Sequence, residues 1–251
     1  PPPATLAQLR RRAEEDAEAM KEVLRSEAYY NGSVSSSVRQ REGGGFEVVY
    51  LVVMGPRTMI RNFTMQYSGH RQGGPGLVES ASELGLKPGR AATAQRVIDF
   101  TQKAITHLHN NGYPNAKLDR RRVIVDLSAN LADITLYITA HERYVFGPVL
   151  VSNEGGRTDP DYVRGLTAFK AGEVYDRSKV DATSEALRKT NLFSAIGISS
   201  AEPEDGALPQ QIELTEREAR TVRLGVKWSS SDGAGVTGSW EHRNLFGRAE
   251  K

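Results

Sequence analysis

Asn110-Asn111-Gly112-Tyr113-Pro114-Asn115-Ala116-Lys117-Leu118 reads as the end of a helix and the start of a strand. Before it, Ala94, Val97, Ile98, Thr101, Ala104, Ile105 and Leu108 fall at 3-and-4 spacing, which gathers them on one helical face. Asn110-Asn111-Gly112 stops that helix, as a left-handed C-terminal cap does. After it come two strand candidates, 117–127 and 133–141, joined by a turn at Ser128-Ala129-Asn130. In the second, Ile134, Leu136 and Ile138 alternate with Thr135, Tyr137 and Thr139, which predicts one buried face. Upstream, a β-rich run at 58–67 and a loop at Gly73–Gly76 lead to a short apolar helix over 77–86, stopped by Lys87-Pro88-Gly89. The whole unit reads strand, helix, helix, hairpin.

Its landmarks recur in the same order. A Gly enters a helix at Leu86-Lys87-Pro88-Gly89 and again at Phe169-Lys170-Ala171-Gly172. An aromatic leads from helix to strand at Tyr29, Tyr113 and Phe193, and an Arg follows a strand run at Arg57, Arg143 and Arg220. The period is about 80 residues. A third unit is expected with a strand at 144–152, helices near 160–170 and 178–190, and hairpin strands near 195–201 and 209–216. In the first, Leu6, Leu9, Ala13, Ala17, Met20 and Leu24 make one long amphipathic helix, followed by strands at 33–39 and 46–53 around Gly43-Gly44-Gly45. No opening strand is legible before Leu6, so this unit is expected to be cut short; Pro1-Pro2-Pro3 cannot donate to a ladder.

Chain direction then predicts the sheet. Two antiparallel helices between strands one and two let strands one and three pair in parallel, while strands two and three form an antiparallel hairpin. The second strand is left at one edge of a mixed three-stranded sheet, with two helices on one face. Units this small bury little core, so neighbours are expected to lean on each other.

From 221 the pattern changes. Val222, Leu224, Val226 and Trp228 alternate with Thr221, Arg223, Gly225 and Lys227; after a turn at 229–233, Val236 and Trp240 alternate with Thr237, Ser239 and Glu241. Apolar-out, polar-in alternation with Trp near an end fits a membrane-barrel strand, and fits an ordinary soluble hairpin as well.

Composition narrows the function classes. The 251 residues carry 33 Lys+Arg against 31 Asp+Glu, a net charge of +2, which speaks against a generally basic nucleic-acid binder. There is no cysteine, which excludes disulfides, thiolate metal sites and a cysteine nucleophile. No stretch approaches the roughly 20 apolar residues of a membrane helix. No signal pattern opens the chain, which leaves either a cytoplasmic protein or a processed or truncated chain.

Other motifs read blandly. Gly233-Ala234-Gly235-Val236-Thr237-Gly238 spells GxGxxG but is followed by a β-like run, so no cofactor is expected there. His107 and His109 point to different sides of a helix, and no metal site is expected. His141-Glu142-Arg143 suits an ion pair or hinge contact. Arg10-Arg11-Arg12 beside Glu14-Glu15-Asp16 is a solvated helix face, whereas Arg120-Arg121-Arg122 suits edge protection or contact with anionic lipid or a partner. Asn62-Phe63-Thr64 matches a glycosylation acceptor by spelling only. No catalytic constellation stands out, and an enzyme, such as a hydrolase with a cleft between repeats, is not expected.

Two stretches resemble a known family. Gly238-Ser239-Trp240-Glu241-His242-Arg243-Asn244-Leu245-Phe246-Gly247-Arg248-Ala249-Glu250 resembles the opening of the barrel in bacterial outer-membrane protein assembly factors of the BamA-related family. Leu187-Arg188-Lys189-Thr190-Asn191-Leu192-Phe193-Ser194-Ala195-Ile196 resembles the second helix and following strand of their polypeptide-transport-associated (POTRA) domains. The resemblance implies an α+β chain of tandem POTRA repeats, at 1–57 (N-terminally cut), 58–143 and 144–220, followed by the first two strands of an outer-membrane barrel at 221–251. Three repeats match the TamA branch; a BamA-like or two-partner-secretion transporter is the alternative, and a structural spacer the reading from another class. The implied function is to bind unfolded outer-membrane or autotransporter proteins in the periplasm by β-augmentation and assist their insertion, with no nucleic acid and no cofactor. The hairpin edges would receive clients, through Ser33, Val34 and Val38, Leu118, Arg120 and Arg122, or Ile196 and Ile198. Val222, Leu224, Val226 and Trp228 would line the barrel seam. A TamB-like partner anchored in the inner membrane would dock on the first unit, and outer-membrane lipid would surround the barrel.

Overall fold

A computed structural model describes residues 5–68, 74–218, 220–229 and 233–242. Pro1-Pro2-Pro3, Gly73, Ser230–Asp232 and most of the barrel-like motif, from Arg243 on, lie outside the described residues. Two compact units divide the chain: residues 1–107 with 116–141, and residues 108–115 with 142–251.

In the first unit, helix α1 (Leu6–Ser26) starts at an N-cap threonine, Thr5, whose hydroxyl accepts the Gln8 N–H (3.2 Å). Its small buried face, Ala13 and Ala17, lets the helix lie close on strand β1 (Ser33–Gln40). Strand β2 (Phe46–Val53) pairs antiparallel with β1 without a register break. Arg11 pairs with Glu15 on the solvent side of α1, as expected of a solvated face.

Strand β3 (Met59–Ser68), helix α2 (Ala94–His109) and the hairpin β4 (Lys117–Asp126) and β5 (Leu131–Thr139) follow. The sheet order is β3-β5-β4, with β3 parallel and β4 antiparallel to β5. This is the mixed sheet that chain direction predicts. Ala132, Ile134, Leu136 and Ile138 on β5 are buried, as are Phe63 on β3 and Phe100 on α2, whose rings meet edge-on at 4.4 Å.

The expected helix over 77–86 is absent. Residues 81–85 form turns instead: Leu84 N–H bonds to Ala81, and Leu86 N–H reaches back to the same carbonyl. Gly85 at φ +84 ends the turn, and Pro88 follows at once. One turn fixes Ala81 and Leu84 in the core, and too little chain remains to repay helix nucleation.

In the second unit, strand β6 (Val145–Ser152), helix α3 (Pro160–Gly165), helix α4 (Arg177–Lys189) and strands β7 (Phe193–Ser200) and β8 (Ala207–Glu216) repeat the plan in the order β6-β8-β7. Its core has two clusters. Phe146 stacks on Phe169 at 4.0 Å with Tyr144, Tyr175, Val180 and Leu208, while Val163, Leu187, Leu192, Phe193, Ile212 and Leu214 form the other. Gly147 lies so near β8 that an added Cβ would sit 2.7 Å from the Pro209 nitrogen, which is why a glycine interrupts this strand.

Glu216 closes this unit. Its Oε1 accepts hydrogen bonds from the Asn153 amide (2.9 Å), the backbone N–H of Arg157 (2.9 Å) and Thr158 (2.6 Å), and the Thr158 hydroxyl. Burial raises the carboxyl's pKa, but these donors together hold it below the usual glutamate range. A carboxyl depressed in the folded state contributes stability above its unfolded pKa and loses it as pH falls through the folded value. Glu216→Gln is therefore expected to lower the urea midpoint at pH 7, by about 1 kcal/mol because solvent screens the group. The gap from wild type should close below about pH 4, near the ordinary glutamate value. A gap independent of pH from 7 to 3 would show that the charge is not what matters.

The hairpin β9 (Arg220–Ser229) and β10 (Gly233–His242) comes last, with Val226 opposite Val236 and Leu224 opposite Gly238. The GxGxxG spelling lies along β10, a strand rather than a helix entrance. No helix among the described residues is long and apolar enough to cross a membrane, which says nothing of a β-barrel.

Candidate functional site

The sheets have edges of two kinds. The first-strand edges are covered by the chain itself. On β3, Ile60 N–H bonds to Arg90 O (2.7 Å), Met65 N–H to Glu79 O (2.9 Å), and Ala81 and Gly89 N–H bond to Phe63 and Ile60 O. At the start of β6, Phe146 N–H bonds to Glu173 O (2.7 Å) and Gly172 N–H to Phe146 O (2.8 Å). The second-strand edges differ: among the described residues, β4 pairs only with β5 and β7 only with β8. An open row of backbone donors and acceptors is a template for another strand.

The open edges are not equivalent. β4 carries a bulge at Asp119, whose carboxylate accepts the Thr139 hydroxyl (2.6 Å). The bulge breaks simple alternation, so Leu118 stands opposite the buried Ile138, whereas Arg120 stands opposite Tyr137 and lies over its ring at 3.9 Å. Arg120 and Arg122 are exposed on one face, and Leu118 is half-buried on the other. Three consecutive arginines make this an edge guarded by charge.

β7 is unguarded. After a bulge at Ser194, Ala195–Ser200 runs in unbroken register with β8 and carries no charge. Ile196 and Ile198 lean half-buried on the core, opposite Leu214 and Ile212. Ala201 N–H bonds to Pro209 O (2.9 Å). Antiparallel bonding alternates, so the N–H groups of Ala195, Gly197 and Ser199 point toward β8 and those of Ile196, Ile198 and Ser200 point outward. This direction is not legible from side-chain pattern. On β1, Val34 is buried, Val38 half-buried and Ser33 exposed, and the strand is likewise uncharged from Ser33 to Val38.

Of the seam residues, Leu224, Val226 and Trp228 are 81%, 85% and 79% exposed, and Val236 is 79% exposed. Val222 pairs with Trp240 through its backbone; its side chain lies outside what is described. A two-stranded hairpin with so bare an apolar face is at best marginally stable in water. Of the remaining candidates, Asn62 donates to Asp133 (2.9 Å), Arg143 donates to the Asn111 carbonyl (3.2 Å), and His107 and His109 lie at the end of α2.

Solved structures share this architecture. BamA from Haemophilus ducreyi lacking POTRA domains 1–3 superposes with a TM-score of 0.58 at 16% identity, over 75% of this chain and 35% of that one. The fold is that of tandem POTRA domains. The POTRA3–5 fragment of Haemophilus influenzae BamA aligns at a TM-score of 0.47 and 16% identity, covering 81% of this chain and 80% of that one. CdiB from Escherichia coli aligns at 0.35 and 15%, covering 96% and 41%. No family model matches the sequence. The chain spans about a third of the H. ducreyi protein. β3–β5 and β6–β8 each form a three-stranded mixed sheet, and β1 and β2 form a two-stranded one.

Proposed function

We propose that the chain is the periplasmic POTRA region of an outer-membrane assembly or translocation factor in a Gram-negative bacterium. It binds unfolded outer-membrane or autotransporter proteins by β-augmentation and hands them to a barrel that begins with β9. The observation that carries this reading is the β7 edge: six uncharged residues in constant register, three N–H groups aimed outward, and no covering segment among the described residues. Backbone bonds to such an edge depend little on client sequence, which suits a binder of many chains. The bare apolar face of Leu224, Val226 and Trp228 supports a lipid-facing strand. Within this family we read the protein as TamA-like, with a TamB-like inner-membrane partner on the first repeat; the two complete mixed sheets and the β1–β2 hairpin ahead of β9 are compatible with that reading.

Site-specific photo-crosslinking of the full-length protein in cells tests both levels. A crosslinker at Ser199 on β7 is expected to trap unfolded outer-membrane proteins several-fold more than one at Arg90, on the segment covering β3. A crosslinker at Ser35 on β1 is expected to trap the inner-membrane partner. Equal trapping at Ser199 and Arg90 would overturn client binding by the edge, and an absence of partner at Ser35 would overturn the TamA-like assignment alone.

A further inference from the structure

Two arginines far apart in the chain make the same pair of contacts, and a third makes a related pair further along its turn. Arg57, after β2, donates its Nε to the Glu27 carbonyl (3.2 Å). Arg143, after β5, donates Nε to the Asn111 carbonyl (3.2 Å), and Arg217, after β8, donates Nε to the Phe193 carbonyl (2.8 Å). Beside the first two, the N–H of the following residue reaches the next carbonyl of the same turn, Thr58 to Ala28 (2.7 Å) and Tyr144 to Gly112 (2.8 Å), whereas Arg217 uses its own N–H on Leu192 (2.8 Å), at the entrance of β7. The arginine nearest to this place after β8 is Arg217, with its carbonyl partners shifted to Leu192 and Phe193, and not the landmark Arg220, which opens β9. The contact spans 24 residues there against 30 and 32 in the other two, so spacing alone misplaced it.

Each receiving turn holds a left-handed residue just after the helix: Ala28 at φ 69, Gly112 at φ 101 and Asn191 at φ 61. In the first two the turn is a Schellman cap, with Tyr29 N–H bonded to Leu24 O and Tyr113 N–H to Leu108 O. Such a turn directs the carbonyls around it away from the helix, where they need an outside donor, and the negative end of the helix dipole favours a guanidinium. The fork of arginine suits the task. While Nε holds the Glu27 carbonyl, Arg57 Nη2 reaches the Glu27 carboxylate (3.3 Å) and the guanidinium lies 5.3 Å from the Tyr29 ring. At Gly112, an added Cβ would stand 2.7 Å from Arg143 Cγ, so the turn leaves room for the arginine.

We propose that Arg57 and Arg143 are two copies of one exit clasp, of which Arg217 is a variant that holds the entrance of β7. Each of the two pins the chain leaving a repeat's last strand to the turn that follows that repeat's helix, and Arg57 so sets where β3 begins. The clasp is a joint and is independent of whether clients bind the open edges.

The test uses the full 251-residue chain, with Arg57→Ala and Arg143→Ala, and Arg11→Ala as a surface control. Amide exchange at Thr58 is expected to speed at least about tenfold in Arg57→Ala only, and at Tyr144 in Arg143→Ala only. Ile134 and Leu136 within the sheet should stay within about twofold, which separates a local joint from general destabilisation. Because the protein has no cysteine, spin labels at Glu18→Cys and Arg122→Cys report alone; their distance distribution should broaden in Arg57→Ala and not in Arg11→Ala. Unchanged protection at Thr58 and Tyr144, equal loss across the sheet amides, or an unchanged distance distribution overturns the clasp.

Discussion

Phe146→Ala is expected to lower the stability of the second compact unit by about 3–5 kcal/mol, read as a fall in urea midpoint without a large change in slope. Phe146 is fully buried, stacks on Phe169 at 4.0 Å and meets Tyr175 at 5.0 Å. Truncation removes the shared wall of these rings. The neighbouring backbone cannot close the gap, since Gly147 already sits against Leu208 and Pro209 and its own Phe146 is tied to Gly172 and Glu173. A repeat of this size buries only a small core, and whole domains are stable by only about 5–15 kcal/mol. Val123→Ala on the open edge of β4, where Val123 is 40% exposed, should by contrast cost under about 1 kcal/mol. A loss below about 1 kcal/mol for Phe146→Ala would mean that this cluster relaxes freely and is not the unit's core.

The parts of this fold that were legible in the sequence are those set by period and chain direction. The alternation of Ile134, Leu136 and Ile138 gives β5 one buried face, and the expected strand directions hold for β3, β4 and β5 although α2 is the one helix between β3 and β4. The parts that were not legible depend on single backbone events. The apolar run over 77–86 carries helix-like spacing, yet Gly85 in the left-handed region and the nearby Pro88 leave room for only a turn. The bulge at Asp119 has no glycine to announce it, and it alone decides that Arg120 lies over Tyr137 while Leu118 turns to the core side. Arg217 was hidden because its role is a bond to a carbonyl, which no side-chain pattern records. The same holds for the site: its strands could be read as edges, but which edges the chain covers, and which N–H groups face outward, comes only from hydrogen bonding.

Ser200→Pro on β7 is expected to weaken capture of unfolded outer-membrane chains about tenfold while shifting the thermal midpoint by only a few degrees. The Ser200 N–H points away from β8, so proline removes no ladder bond of the folded sheet. It deletes one donor that a client would use, and the ring occupies the path of the incoming backbone. Losing one or two backbone bonds at about 1 kcal/mol each corresponds to roughly five- to thirtyfold in affinity. The side chain itself contributes little, since Ser200 is exposed and its hydroxyl only accepts from the Gln210 amide (3.1 Å). Proline at Ser199 is the matched opposite. That N–H points into the ladder, so Ser199→Pro should lower stability more than Ser200→Pro does. Titration of each variant with a peptide from an outer-membrane barrel strand, followed by fluorescence anisotropy, separates the two effects. If Ser200→Pro binds as wild type does, clients do not add to this edge, and the exposed strand is a surface rather than a site.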